Sequence, residues 1–431
     1  MSEATVASPA SHSLTDRQRS WLALHLVEGV GGATVRKLLQ TFGQIEAVMA
    51  ASAKELQAQG LAAALAQKVA GALEAPLLAE EEALLAQYRI RLITQEDSEY
   101  PPLLLQTNVP PAVLYVRGRV PLGMTAGEVP GRPVLAVVGT RNPSRYGEKM
   151  TRQLIERLAQ QVPDLVVVSG LARGVDTLAH QAALEHGLET VGVLGCGLSR
   201  VYPPENEPLA AKIANAHPPN GAIISEFRMK LPPNAAHFPI RNRVISGMSQ
   251  GVLVVEAGQK SGALITVGFA LNQGREVFAL PGPIDHPASA GANRIIQTGQ
   301  AKLVACAADI LEELPGFERL AEERLKEPQT PLPAHKRGAK AQMAKPLAAA
   351  AQGQAPKGPP APPKPPPPRP PAQNVTPSQA ALLTNLQRGA AQTDQLAAEL
   401  KVPVAQILSD LLELELMGEV VQTRDGRFER S

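Results

Sequence analysis

Two loops in this sequence combine glycines with an arginine at a spacing that suits the binding of an anion. The first holds Gly139, Thr140 and Arg141, and the second holds Ser169, Gly170, Leu171, Ala172, Arg173 and Gly174. Glycine lets a backbone approach a phosphate closely, a helix start supplies unpaired N–H donors, and arginine adds positive charge. Glycines that only turn a strand into a helix would explain Gly170 and Gly174, but not the two arginines. We predict that both loops bind phosphate.

A third segment, residues 237–246, places an aromatic side chain beside two arginines. Its candidate binding residues are Phe238, Arg241, Asn242 and Arg243. A base can stack on Phe238 while an arginine meets phosphate, which is the pairing that sequence-tolerant binding of single strands requires. Two alternatives stay open at this point. One arginine is held internally by Glu226 or Glu256, or the phenylalanine belongs to the core, as lone phenylalanines commonly do.

The sequence contains no dedicated catalytic motif. There is no GxxxxGK[ST] and no HExxH, and Gly195-Cys196-Gly197 continues to Arg200 where a dinucleotide fingerprint needs a third small residue. The GxSxG match at 247–251 precedes a strand pattern, whereas a nucleophile elbow follows one. The two cysteines are far apart and outside any CxxC spacing. We predict no catalytic residues, no metal site and no cofactor, and therefore a protein that is not an enzyme.

Short apolar runs must position these loops. Continuous β-branched segments occur at residues 135–138, 165–168, 191–194, 222–224 and 252–255, with weaker ones near 277–279 and 302–304. Such runs are expected when both faces of a parallel sheet are buried. They predict an α/β domain over residues 91–318, a Rossmann-like doubly wound parallel sheet that binds its ligand beyond the carboxyl ends of the strands.

The flanking regions differ in composition. We predict disorder over 1–13, a helical domain over 14–90, a Pro/Ala/Lys-rich linker over 319–374 and a winged-helix domain over 375–431. A glycine turn at 28–32 resembles a helix-hairpin-helix or SAM-like element, and a plain interhelical turn is an equal alternative. Because Asp410, Glu413 and Glu415 make the last helix pattern acidic, we favour protein contact over DNA reading there.

Charge and hydropathy limit the class of protein. The formal net charge is only +2, so the overall charge does not by itself indicate a nucleic-acid binder. The first residues lack the pattern of a signal peptide, and no apolar run is long enough to span a bilayer. We expect a cytoplasmic protein without membrane insertion.

Several segments, taken in chain order, closely resemble the DprA (Smf) family of DNA-processing proteins. They are VVGTRNPSRYG, SGLARGVDTLAH, LGCGLSRVYPPEN, SEF, FPIRNRVISGMSQGVLVVEA, KSGALIT and PGPIDHPASAGANRIIQTG, within about residues 101–299. The resemblance implies a domain that binds and protects single-stranded DNA and loads RecA during natural transformation and recombination. It also implies that Arg141 and the 169–174 loop contact the DNA backbone, that Phe238, Arg241 and Arg243 line the same groove, and that the domain forms a homodimer.

Two other functions remain open beside this one. A nucleotide phosphoribohydrolase would share the Rossmann-like fold, but its PGGxGT signature is replaced here by Lys260-Ser261-Gly262-Ala263. A regulatory adaptor would act through its winged helix. The acidic last helix pattern of that domain makes direct gene regulation the weaker hypothesis.

Overall fold

The computed structural model describes residues 14–121, 132–215 and 220–314. In the C-terminal region it describes residues 376–387, 389, 393–400, 402, 407, 410–411, 414, 419–422 and 427–430. The leading helices and the sheet domain belong to one compact unit, and the C-terminal region belongs to a second. The predicted disorder of 1–13 and the predicted linker at 319–374 lie outside the described residues.

The described strands of the first unit form a nine-stranded sheet in the order β1-β2-β6-β5-β4-β3-β7-β8-β9. Their bounds are β1 Arg91–Thr94, β2 Val113–Gly118, β3 Val134–Val138, β4 Val166–Ser169, β5 Glu189–Leu194, β6 Gly221–Ser225, β7 Gly251–Val254, β8 Glu276–Ala279 and β9 Lys302–Leu303. Strands β3 to β9 are parallel, and β1 and β2 add an antiparallel edge beside β6. The predicted α/β class with a doubly wound sheet is confirmed, and the antiparallel edge is an addition.

Both faces of the sheet are covered by helices. These are α7 Pro102–Leu105, α8 Arg145–Gln161, α9 Val175–Glu185, α10 Glu207–Ala214, α11 His237–Gly247, α12 Ala263–Asn272, α13 Ala290–Gln297 and α14 Ala308–Leu311. Because side chains alternate along a strand, Leu135 and Val137 of β3 join the core formed with α8 and α9, whereas Ala136 and Val138 join the core formed with α11 and α12. This two-sided burial explains the continuous apolar strand sequences.

From residue 14 onward, six α-helices precede the sheet, with a short 3-10 helix at Ala72–Glu74 between the fifth and the sixth. They are α1 Asp16–Leu26, α2 Gly32–Phe42, α3 Ile45–Ala50, α4 Ala53–Ala58, α5 Ala63–Ala70 and α6 Pro76–Tyr88, and we call them the helical leader. Thr15 starts α1 with a capping box to Gln18. At the predicted glycine turn, a Cβ on Gly32 would collide with Val109 of the sheet domain, so glycine is required there by close packing. A role of this turn in DNA contact stays a prediction.

The described C-terminal residues agree with a winged-helix arrangement. Helices α15 Pro377–Leu386 and α16 Thr393–Leu400 accompany the antiparallel strands β10 Val420–Gln422 and β11 Phe428–Arg430. Asp410 is buried, and its carboxylate accepts a hydrogen bond from the Ser378 hydroxyl. This carboxylate therefore belongs to the interior of the unit. The side chains of Glu413 and Glu415 lie outside the described residues.

No helix in the described part of the chain has both the length and the apolar character needed to cross a bilayer.

A buried histidine in helix α9, His180, gives a testable pH dependence of stability. The His180 Nδ1 lies 2.7 Å from the Thr190 hydroxyl, which donates to the Val167 carbonyl. Burial lowers the pKa of His180 from 6.5 to about 3. The imidazole resists protonation in the folded state but takes up a proton in the unfolded state. The contribution of His180 to the free energy of unfolding is therefore complete above pH 6.5 and is lost as the pH falls toward 3. We expect a loss of about 2 kcal/mol between pH 7.5 and pH 5 from this residue.

Urea unfolding at the two pH values measures this effect, with His180→Asn as the comparison. The asparagine amide can still donate to Thr190 but cannot titrate. The difference between the two pH values should shrink by about 2 kcal/mol in the variant. An unchanged difference would show that His180 is not the group responsible.

Candidate nucleic-acid interface

The predicted loops meet at the carboxyl ends of three adjacent strands. Gly139–Arg141 follows β3, the Ser169–Gly174 loop follows β4, and Gly195 and Cys196 follow β5. They enclose a pocket of about 30 Å³. Its lining residues are Arg141, Gly170, Ala172, Arg173, Gly195, Cys196, Tyr202, Pro203, Phe238 and Arg241. Residues from four segments of the sequence therefore meet at the edge where an open parallel sheet binds its ligands.

An aromatic pair with an arginine over it stands at the entrance of the pocket. The guanidinium carbon of Arg141 lies 5.4 Å from the centre of the Phe238 ring. The Tyr202 ring lies 5.9 Å from Phe238, centre to centre, with the planes inclined by 36°. Tyr202 is partly exposed and Phe238 is half-buried. With Arg173 on the opposite loop, these four residues form what we call the pocket mouth.

Tyr202 was missed from the sequence. A signal was present, since the tyrosine follows the Gly195-Cys196-Gly197 turn and therefore belongs to the same strand edge as the predicted loops. The ring has a polar end and an apolar face, so it can stack on a base and still reach water.

Arg173 is exposed but not free of partners. Its Nε donates to the Glu205 carboxylate, and the two side chains are 63% and 48% exposed. This hydrogen bond lowers the pKa of Glu205, so the carboxylate is charged at neutral pH. Such an exposed pair is weak and exchanges readily for another anion.

Arg241 lies under the pocket and is only 5% exposed. Its Nη1 donates to the carbonyls of Gly170 and Val193, at 2.6 Å each. Burial raises the pKa of the nearby Asp176, and the charge of Arg241 opposes that rise. Arg241 therefore ties the β4 loop to β5 and helix α11, while one part of it lines the pocket floor.

The amides of the β4 loop are partly occupied within the protein. Asp176 accepts hydrogen bonds from the N–H groups of Gly170 and Ala172, at 3.1 and 3.3 Å. A Cβ on Gly170 would collide with Arg241 and Asp176, and Gly174 has a φ of +76°. The two glycines are thus required by packing and turn geometry. Phosphate binding at this loop stays a prediction.

Arg243 and Asn242 face other parts of the structure. Arg243 donates to the Glu226 carboxylate and to the Val109 carbonyl. Asn242 is buried, and its amide lies 3.4 Å from the Gly262 carbonyl. The alternative that Glu226 holds one arginine of this segment internally is therefore correct for Arg243. Contact of these two residues with DNA stays a prediction.

Glu256 occupies the start of the first helix after β3. Its carboxylate accepts from the Ser144 N–H at 2.8 Å and from the Ser144 hydroxyl at 2.5 Å. A Cβ on Gly147 would collide with the same carboxylate. In dinucleotide-binding Rossmann domains this helix start holds the pyrophosphate. Here a negative side chain already fills the position.

Comparison with known proteins agrees with this architecture. The family model for DNA recombination-mediator protein A matches residues 91–315, and the model for the DprA winged helix domain matches residues 362–426. Protein Smf of Synechocystis sp. is 32% identical over 96% of this chain and 98% of its own length. DNA processing protein DprA of Bacillus subtilis is 41% identical over 54% of this chain and 75% of its own length.

A solved structure gives the same result. The X-ray structure of DNA processing protein A from Streptococcus pneumoniae has 31% sequence identity and a TM-score of 0.58, covering 70% of this chain and 99% of its own. The resemblance found in the sequence is therefore confirmed, and the chain belongs to the DprA (Smf) family of DNA-processing proteins.

Proposed function

We propose that this protein binds single-stranded DNA at the pocket mouth. The observation that carries the proposal is the stacking of Arg141 over Phe238, with Tyr202 beside the ring and Arg173 across the opening. Sequence-tolerant single-strand binding needs aromatic faces for bases and cations for phosphates, and the mouth offers both within one small area. The glycine loops, held by Asp176 and Arg241, fix the two cations relative to the rings.

The two cations of the pocket mouth indicate which part of the DNA the pocket receives. A phosphate group placed there has Arg141 and Arg173 as cationic partners. The base then lies outside, over the Tyr202 and Phe238 rings. This arrangement reads the backbone and any base face, so binding is independent of sequence.

The nucleotide-enzyme alternative is the weaker one. At the helix start where a Rossmann enzyme binds nucleotide phosphate, Glu256 would repel the anion and already uses the Ser144 donors. The winged-helix adaptor has no comparable site among the described C-terminal residues. The non-catalytic assignment therefore remains our proposal.

At the finer level, we propose the role that the family resemblance implies. The protein protects incoming single-stranded DNA in the cytoplasm and loads RecA onto it during natural transformation and recombination. A homodimer through the Rossmann-like domain would set two mouths side by side and increase affinity by linkage. Loading is tested by the rate of RecA filament formation on DNA covered by single-strand-binding protein, with and without this chain.

Fluorescence anisotropy of a labelled oligo-dT tests the DNA-binding proposal. We expect saturable binding that a second single strand competes away and that duplex competes away poorly. Because phosphate contacts release counterions, the logarithm of the affinity should fall linearly with the logarithm of the salt concentration. Equal competition by duplex, or binding insensitive to salt, would count against the pocket mouth as a single-strand site.

Glu205→Gln should strengthen binding. The carboxylate competes with phosphate for Arg173 and repels the DNA backbone, so its neutralisation is expected to tighten oligo-dT binding about two- to fivefold at low salt. The matched control is Glu185→Gln, which removes the same charge from an arginine pair at the far end of α9, where Arg152 lies 2.9 Å away. Equal gains in both variants would mean that only net charge matters.

A further inference from the structure

The loop that connects β6 to α11, residues 226–236, adjoins two parts of the candidate site. Its backbone is paired with the turn after β5: the Gly197 N–H donates to the Leu231 carbonyl at 2.9 Å, and the Ser199 N–H donates to the Met229 carbonyl at 3.2 Å. The same loop leads directly into Phe238 at the start of α11. The position of this loop therefore sets the position of the aromatic ring and of the Gly195–Gly197 turn.

The helical leader holds this loop at a buried point. Glu81 of α6 is only 2% exposed, and its carboxylate accepts a hydrogen bond from the Met229 N–H at 2.5 Å. Burial raises the pKa of Glu81, which shows that placing a carboxylate there is costly. On the surface beside it, Glu80 pairs with Lys230 at 2.7 Å.

The contact belongs to a continuous interface. Leucines of α6 and Met229 and Leu198 of the sheet domain lie in one hydrophobic cluster. Met229 has no exposed surface, and its carbonyl and that of Arg228 leave no space for a Cβ on Gly197. A displacement of Met229 is therefore transmitted to the turn after β5, which lines the pocket.

We propose that Glu81 is a positioning residue for the pocket mouth, through which the helical leader fixes the β6–α11 loop and hence Phe238. This inference rests on the proposed function, because it assigns the leader a part in the same site. It gives the leader a role in DNA binding without direct contact with DNA. The carboxylate is required for its reach and acceptor geometry, and not for its charge.

Five variants of the helical leader separate positioning of the loop from general loosening of the leader. Glu81→Ala removes the acceptor, Glu81→Gln keeps an acceptor oxygen at the same reach, and Glu81→Asp keeps the charge but shortens the reach. Leu56→Ala is the control for destabilisation, since Leu56 is a fully buried core residue of α4. Glu82→Ala removes a neighbouring carboxylate that pairs with Arg19 inside the leader, at 2.9 Å.

Oligo-dT affinity and thermal stability are measured on the full chain for each variant. We expect Glu81→Ala and Glu81→Asp to weaken binding about tenfold and Glu81→Gln to retain most of the affinity. The Leu56→Ala and Glu82→Ala variants should bind like wild type. In combination with Phe238→Ala, the Glu81→Ala loss should largely disappear, because both act on the same ring. If Glu81→Ala does not fold, the comparison of Glu81→Gln with Glu81→Asp tests the inference instead.

Three results would overturn the inference. They are that Glu81→Asp binds as well as Glu81→Gln, that Leu56→Ala weakens binding as much as Glu81→Ala, or that the Glu81→Ala and Phe238→Ala losses are fully additive. Failure of the proposed function is distinguishable, since wild type itself would then not bind oligo-dT. Hydrogen exchange of residues 226–236 gives a second readout, and it should rise in Glu81→Ala but not in Leu56→Ala.

Discussion

Replacing Arg141 and Arg173 together with alanine is expected to reduce oligo-dT affinity at least about a hundredfold. Both guanidinium groups stand at the pocket mouth, and each can form charge-assisted hydrogen bonds with phosphate. Loss of Arg141 also removes the cation above the Phe238 ring. The slope of log affinity against log salt should become less steep by about 1.4, since each single-strand phosphate contact contributes about 0.7.

The control removes two arginines of the same charge elsewhere. The control is the double variant Arg152→Ala with Arg157→Ala, and both residues lie in α8 beyond its first turn. Helix α8 begins at Arg145, and at 1.5 Å per residue Arg157 lies about 18 Å along the helix from that start. We expect this pair to bind nearly as wild type at physiological salt. Equal losses in the two double variants would show that net charge, and not the pocket mouth, governs binding.

Arg241→Ala is expected to destabilise the fold by about 3–5 kcal/mol, because two buried carbonyls lose a charged donor and a buried carboxyl loses the nearby cation. Asp176 would remain buried without its neighbouring cation, and the carbonyls of Gly170 and Val193 would lose their donor. Urea or thermal unfolding measures the loss. The exposed Arg173→Ala should change stability little, which separates the two arginines by role.

A different result would reassign Arg241. If Arg241→Ala unfolds at the same urea concentration as wild type yet loses DNA binding, its side chain is a direct DNA ligand, as the sequence and the family resemblance imply. If stability falls and the folded fraction still binds oligo-dT, the guanidinium supports the floor of the pocket and little more.

The parallel strands were predictable because burial on both faces leaves a strong signal in the sequence. Each of the apolar runs at 135–138, 165–168, 191–194, 222–224 and 252–255 overlaps a strand. The edge strands β1 and β2 were not anticipated. β1 has four residues, beginning with the exposed Arg91, and a run this short does not distinguish a strand from a loop. Its identity as a strand comes from pairing with β2, which pairs in turn with β6, a strand distant in sequence.

The candidate site was predictable where it depends on local chemistry. Arg141 and the β4 loop were found because loops at the ends of parallel strands must converge. Phe238 was found because an aromatic residue stands beside two arginines in one short segment. The internal partners were not. Asp176 reads as an ordinary first-turn acid of a helix, and Glu81 reads as one of three consecutive glutamates on a leader helix. Only the packing of the leader against the β6–α11 loop shows that Glu81 meets the Met229 amide.

Photocrosslinking of a 5-bromodeoxyuridine oligonucleotide to the full chain, followed by mass spectrometry, tests the location of the DNA most directly. Binding at the pocket mouth predicts crosslinks to the peptides that contain Tyr202 and Phe238, and their loss in the Arg141 and Arg173 double variant. Crosslinks confined to the helical leader or to residues 376–431, unchanged in that variant, would contradict the proposed site.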